Sequence, residues 1–147
     1  MSSTKIPQQQ ISGIAFRAYR AGALTIGTSN SLLIYDTILY NYGSGYNAST
    51  GYFTAPISGV YLFTATLNTD PSSTNRTFMA VTGTINANYR TRGVDVGVPG
   101  STVYRNQGVW ELYMNAGETI GILPYSAMSN SIASVETFFT GRLVLAI

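Results

Sequence analysis

The chain has 147 residues, enough for one domain around one core, and contains neither cysteine nor histidine. Those absences exclude disulfides and thiolate metal sites, and they remove the commonest general base, the usual catalytic triads and most zinc sites. Charged residues make up 10% of the chain, against roughly 25% in a typical soluble domain, and the net charge is +2. With so few ionisable groups, a pI near 9.0 reflects scarcity rather than a basic patch. No window clusters Lys or Arg along a track that could follow a phosphate backbone, so no nucleic-acid partner is expected. Ser, Thr and Asn, fifteen Gly and eleven Tyr take the place of charge, a mixture suited to strands joined by polar turns.

In chain order, residues 1–10 (MSSTKIPQQQ) read as a flexible lead-in without an apolar face, and a single globular domain is expected over residues 11–147. Nowhere do 18 apolar residues run together, so membrane insertion is not expected. Runs rich in Val, Ile, Thr, Tyr and Phe, separated by Gly, Asn, Ser and Pro, predict strands over 13–20, 32–41, 52–54, 59–68, 77–86, 89–94, 102–114, 119–125 and 136–147. In the fourth of these, Tyr61, Phe63, Ala65 and Leu67 share a face that should be core. The opposite face, Val60, Leu62, Thr64 and Thr66, is not cleanly polar, which points to cover by a neighbouring sheet or another subunit. In the last strand, Phe139, Leu143, Leu145 and Ile147 alternate with Thr140, Arg142, Val144 and Ala146, and a terminus reading RLVLAI is expected to end inside a sheet. Turn signals fall at NYGSG (41–45), DPSSTN (70–75), GVPGS (97–101) and NAGE (115–118). Gly108 is expected to let its strand bend, and Trp110 to lie in the core. Many short strands in one domain argue for an all-β sandwich or jelly roll.

One stretch has a more specific pattern. Residues 46–67, YNASTGYFTAPISGVYLFTATL, contain YN-x-x-TG-x-FTAP-x-x-G-x-Y-x-F, which resembles the signature of the C1q globular domain. Its parts also have a physical reading: Asn47 and Gly51 make a turn, Phe53 points inward, Ala55-Pro56 ends a short strand and Gly59 permits a tight reversal into the next. The resemblance extends to IAFRAY (14–19), to LLIYDTILYNYG (32–43) with Asp36 in its middle, and to LYMNAGETIGI (112–122) with Glu118 where Asp is common. TFFTGRLVLAI (137–147) resembles the terminal F-x-G-x-L strand. Ordered landmarks thus span nearly the whole chain.

The resemblance implies a ten-strand jelly roll of two five-stranded antiparallel sheets, assembled as a homotrimer. It implies a recognition head of the lectin or pattern-recognition type, as in innate immunity, secreted or extracellular, with a carbohydrate or protein ligand. Two alternatives stay open: the trimerising adhesive head of a bacterial or phage surface fibre, and a trimeric signalling ligand for a receptor. Some family members carry a collagen-like stalk, but this chain has no Gly-X-Y repeat. Some hold calcium near the trimer apex through oxygen ligands. No D-x-D-x-D-G loop is present, so no cofactor is required and calcium remains an option without assigned residues.

No enzyme is expected, because Asp36, Asp70, Asp95, Glu111, Glu118 and Glu136 are scattered singly and paired-carboxylate chemistry needs two close together. Ligand contacts are expected from loops, where Tyr and Asn offer ring stacking and amide hydrogen bonds and Arg pairs with the carboxylates of acidic sugars. The candidates are Arg76, Asn88, Arg90, Arg92, Asp95 and Tyr104, in or beside the region between the middle strands. Tyr35, Tyr40, Tyr42, Tyr89, Tyr113 and Tyr125 are expected to divide between core and subunit contacts.

Overall fold

The computed structural model describes residues 13–22, 24–26, 32–69, 78–82, 88–89, 94–96, 104–124, 128–131 and 134–147. Side chains are described for 13–22, 32–68, 107–123 and 136–147. Among the described residues there are thirteen strands: β1 (Ala15–Arg20), β2 (Leu24–Ile26), β3 (Thr37–Tyr42), β4 (Tyr46–Asn47), β5 (Tyr52–Thr54), β6 (Gly59–Thr69), β7 (Phe78–Thr82), β8 (Asn88–Tyr89), β9 (Val94–Val96), β10 (Tyr104–Met114), β11 (Thr119–Pro124), β12 (Met128–Ser131) and β13 (Ser134–Ala146).

They form two antiparallel sheets. The larger has eight strands centred on β6, with β13, β1 and β3 in sequence on one side and β10 and β9 on the other; β12 and β2 join at the far end of β6. The smaller has the order β4-β5-β11-β7-β8. The all-β jelly-roll reading holds. The strand count is higher than the ten implied and the division is eight and five, because two- to four-residue pairings (β2, β4, β12) lengthen the edges.

The core is aromatic and is built from alternate residues of both sheets. Tyr61, Phe63, Ala65 and Leu67 on β6 are fully buried, together with Phe16, Phe53, Phe139, Ile120 and Ile122. Phe16 of the larger sheet stacks on Tyr46 (4.8 Å) and Phe53 (5.0 Å) of the smaller one, and Phe139 meets Phe16 edge-on at 4.9 Å. Each fully buried ring of this kind stabilises by roughly 1.5–3 kcal/mol, so this column is the main adhesive between the sheets. Gly141 passes directly beneath it: a Cβ there would lie 2.5 Å from Phe63 and 2.6 Å from Phe16.

Local structure follows the turn chemistry. At Gly51, with φ +79°, the amide donates to the Asn47 carbonyl at 2.9 Å, closing the turn read from the sequence. The Asn41 carboxamide bonds Tyr46 twice, its NH2 donating to the carbonyl (2.8 Å) and its oxygen accepting from the amide (3.1 Å), as a paired strand residue would. The NAGE turn closes through the Glu118 carboxylate, which accepts from the Asn115 amide (2.9 Å) and side chain (3.1 Å).

Four details depart from the sequence expectations. The strand expected over 89–94 is two pieces in different sheets, β8 beside β7 and β9 beside β10, with residues 90–93 outside the described set. In β13 the register shifts between Leu143 and Leu145, so Leu145 pairs with Val60 and is 58% exposed instead of continuing the inward face of Phe139. A bulge of this kind moves every later side chain to the other face. Gly108 does not serve a bend; a Cβ there would run into the Trp110 indole, which is buried as expected. Gly59 likewise has no left-handed φ, and its missing side chain lets the Leu145 carbonyl approach. The C-terminus is fixed by the Ile147 amide, which donates to the Ser58 carbonyl at 3.2 Å.

Candidate functional site

The outward face of the larger sheet is the most unusual surface among the described residues. Antiparallel registers set its side chains in rows that cross the strands. One row runs Tyr42, Ala15, Arg142, Leu62, Glu111 and the next runs Tyr40, Arg17, Thr140, Thr64, Val109. Toward the chain termini, Leu145 and Tyr113 flank Val60. A half-exposed antiparallel sheet normally alternates core residues with polar ones. Here Val109 (53% exposed), Tyr113 (51%), Tyr42 (64%) and Leu145 stand in water instead, and Val60 and Leu62 are half-buried between them.

The relief of this face is uneven. Small residues on β1 and β13 leave a shallow concavity of about 300 Å³ lined by Ala15, Tyr40, Leu62, Thr64, Thr140, Gly141 and Arg142. Tyr40 stacks against Tyr42 at 5.6 Å along one side, and the Arg17 guanidinium lies 4.0 Å above the Phe138 ring. Val109, Glu111 and Tyr113 on β10 form the exposed ridge on the opposite side of β6.

Polar networks elsewhere brace the fold. Arg20 pairs with Asp36 at 3.3 Å and donates to the Ile34 carbonyl, while the Asp36 carboxylate accepts from the Ala21 amide (2.9 Å) and the Thr37 hydroxyl (3.1 Å). Partial burial opposes the Asp36 charge, but the Ala21 amide, the Thr37 hydroxyl and Arg20 together hold its carboxyl below the ordinary range. The Tyr46 hydroxyl donates to the Tyr35 carbonyl (3.0 Å) and accepts from the Tyr35 amide (3.2 Å). Burial raises both phenols, most strongly Tyr35, which also feels Tyr46; neither ionises near neutral pH. At the exposed NAGE turn, hydrogen bonds from the Asn115 amide and side chain lower Glu118.

Of the candidate ligand residues, Asn88 lies on β8 opposite Val81, Asp95 on β9 opposite Asn106, and Tyr104 opens β10 opposite Thr69. Asn88 therefore belongs to one sheet and Asp95 and Tyr104 to the other. Arg76, Arg90 and Arg92 lie outside the described residues, as does Tyr125. Of the other tyrosines, Tyr35 is core while Tyr42 and Tyr113 are exposed on the sheet face. Calcium takes six to eight oxygen ligands, and among the described residues no three acidic side chains gather. The sheet face itself was foreshadowed only by the mixed outer side of β6. Its remaining members come from strands distant in sequence, which no local pattern joins.

Comparison with known proteins places these features. The C1q domain model matches residues 15–144. No curated protein matches the sequence. Among solved structures, the globular domain of zebrafish complement 1qA superposes with a TM-score of 0.68 at 19% identity, covering 90% of this chain and 98% of that one. An Eiger TNF from S. frugiperda superposes at 0.64 with 13% identity, covering 92% and 95%. Murine APRIL superposes at 0.68 with 10% identity, covering 90% and 99%.

Proposed function

Because the chain belongs to the C1q domain family, we propose that it acts as a homotrimeric recognition head. It buries the outward face of its eight-stranded sheet between copies and presents its inter-strand loops to carbohydrates or other microbial surface molecules outside the cell. The observation that carries the assembly is the set of exposed apolar side chains, Val109, Tyr113, Tyr42 and Leu145, on a sheet face whose other side is already core. Exposed apolar side chains gathered on one sheet face mark a protein contact, and tyrosine suits it by offering ring area with a polar tip.

Ligand contacts fall to Arg76, Asn88, Arg90, Arg92, Asp95 and Tyr104. The short strands β8 and β9 support this reading, since they bring the segment carrying four of these residues from one sheet to the other. Arginine and amide groups in such a position recognise acidic or hydroxyl-rich sugars by forked and paired hydrogen bonds. A glycan array, followed by titration of the best binder, tests the assignment. Replacing Arg90 and Arg92 together by Ala should weaken binding at least tenfold while the trimer persists. A blank array, or binding unaffected by these changes, removes the carbohydrate reading.

A further inference from the structure

The outward face of the larger sheet is asymmetric in both shape and charge. On the β1/β13 side lies the concavity, and Arg142 is part of its lining. Across β6, in the same row, stands Glu111 on the exposed ridge of β10, with Leu62 between them. Two strand spacings put these residues about 10 Å apart along the sheet. Neither has an ion-pair partner among the described residues, although both are exposed and of opposite sign.

A ring of three copies uses heterologous contacts, in which one patch of a subunit meets a different patch of the next. We propose that the β10 ridge of one copy seats in the β1/β13 concavity of the next, with Glu111 paired to Arg142 across each contact. This pairing rests on the trimer reading and specifies its register. It leaves no charge buried alone: each copy gives its carboxylate to one neighbour and its guanidinium to the other, and a guanidinium and a carboxylate can meet through two parallel hydrogen bonds. Among the residues whose side chains are described, Arg17 is the other cation of these two rows, and it lies over Phe138, which leaves Arg142 as the cation beside the concavity. Glu136, the acid on β13 itself, is engaged with the Asn68 side chain at 3.4 Å.

The test uses sedimentation of the full chain and three variants, Glu111→Arg, Arg142→Glu and the double exchange, with circular dichroism verifying that each is folded. Both positions are exposed, and the neutral variants Glu111→Gln and Arg142→Gln provide a milder perturbation. Each single reversal should raise the concentration for half-assembly at least tenfold, and the double exchange should return it to within about threefold of the wild type. Mixing the two single variants should rescue only partially. In a closed ring of three, two contacts become complementary and one stays like-charged, whereas a two-fold dimer would be rescued in full. Single reversals that assemble like the wild type, or a double exchange no better than the worse single, overturn the pairing while leaving the trimer intact. A wild-type chain that sediments as a monomer overturns the assembly reading itself.

Discussion

Replacing Tyr46 by Phe isolates one structural element almost without changing shape. The ring is 3% exposed and stacks on Phe16 with an interplanar angle of 1°, and Phe keeps that contact. What is lost is the hydroxyl that satisfies both the amide and the carbonyl of Tyr35. Each buried polar group left without a partner costs about 1–3 kcal/mol, so the pair together should cost about 3 kcal/mol. For a domain of this length that corresponds to a fall in Tm of about 6–12 °C. Tyr35→Phe is the control: it also removes a buried tyrosine hydroxyl, but one with a single bond, to the Thr66 carbonyl at 3.2 Å. It should cost about 1 kcal/mol, or about 2–4 °C. Calorimetry at one fixed protein concentration makes the comparison, since assembly couples stability to concentration. Equal shifts for the two variants would refute the assignment of Tyr46 as the group that satisfies the Tyr35 backbone.

Gly141→Ala should be destabilising by about 2 kcal/mol, because the new Cβ meets two ring edges that are themselves held by stacking. In a Phe63→Leu background the same change should cost measurably less in urea unfolding; an equal cost in both would remove ring clearance as the reason for glycine. Asp36→Asn should lower stability at pH 7 by about 1 kcal/mol, a figure reduced for the partial exposure of the pair. Because the folded carboxyl lies below its ordinary value of 3.8, the native state binds fewer protons there than the unfolded one. The contribution is therefore present above the ordinary value and fades as pH falls below it. Unfolding curves of wild type and variant should converge in acid; a gap that persists there contradicts the charge-based role.

The parts of this fold that were legible in the sequence are those with a period. Alternation on β6 placed Tyr61, Phe63, Ala65 and Leu67 inside, and all four are fully buried. The signature landmarks gave the family, and residues 52–54 emerged as a strand with the expected bounds. Two-residue strands such as β4 have no period to read, and β4 is a strand only through its pairing with β5 across the turn at Asn47 and Gly51. The bulge at Leu143 and Leu145 is invisible to alternation because it is a break in alternation. Gly108 looked like a backbone device when its neighbour Trp110 needed the space, a fact that only the indole orientation reveals. The candidate surface was hardest to foresee. Arg142, Leu62 and Glu111 share a row only because β13 and β10 pair with opposite edges of β6, and Arg76, Arg90 and Arg92 lie outside the described residues.

Sedimentation equilibrium of the purified wild-type chain at micromolar concentration tests the central claim most directly. Burial of the Val109, Tyr113 and Leu145 face predicts a species of three times the 15.8 kDa chain mass. A monomer at that concentration would contradict it, leaving the apolar face without the partner that explains it.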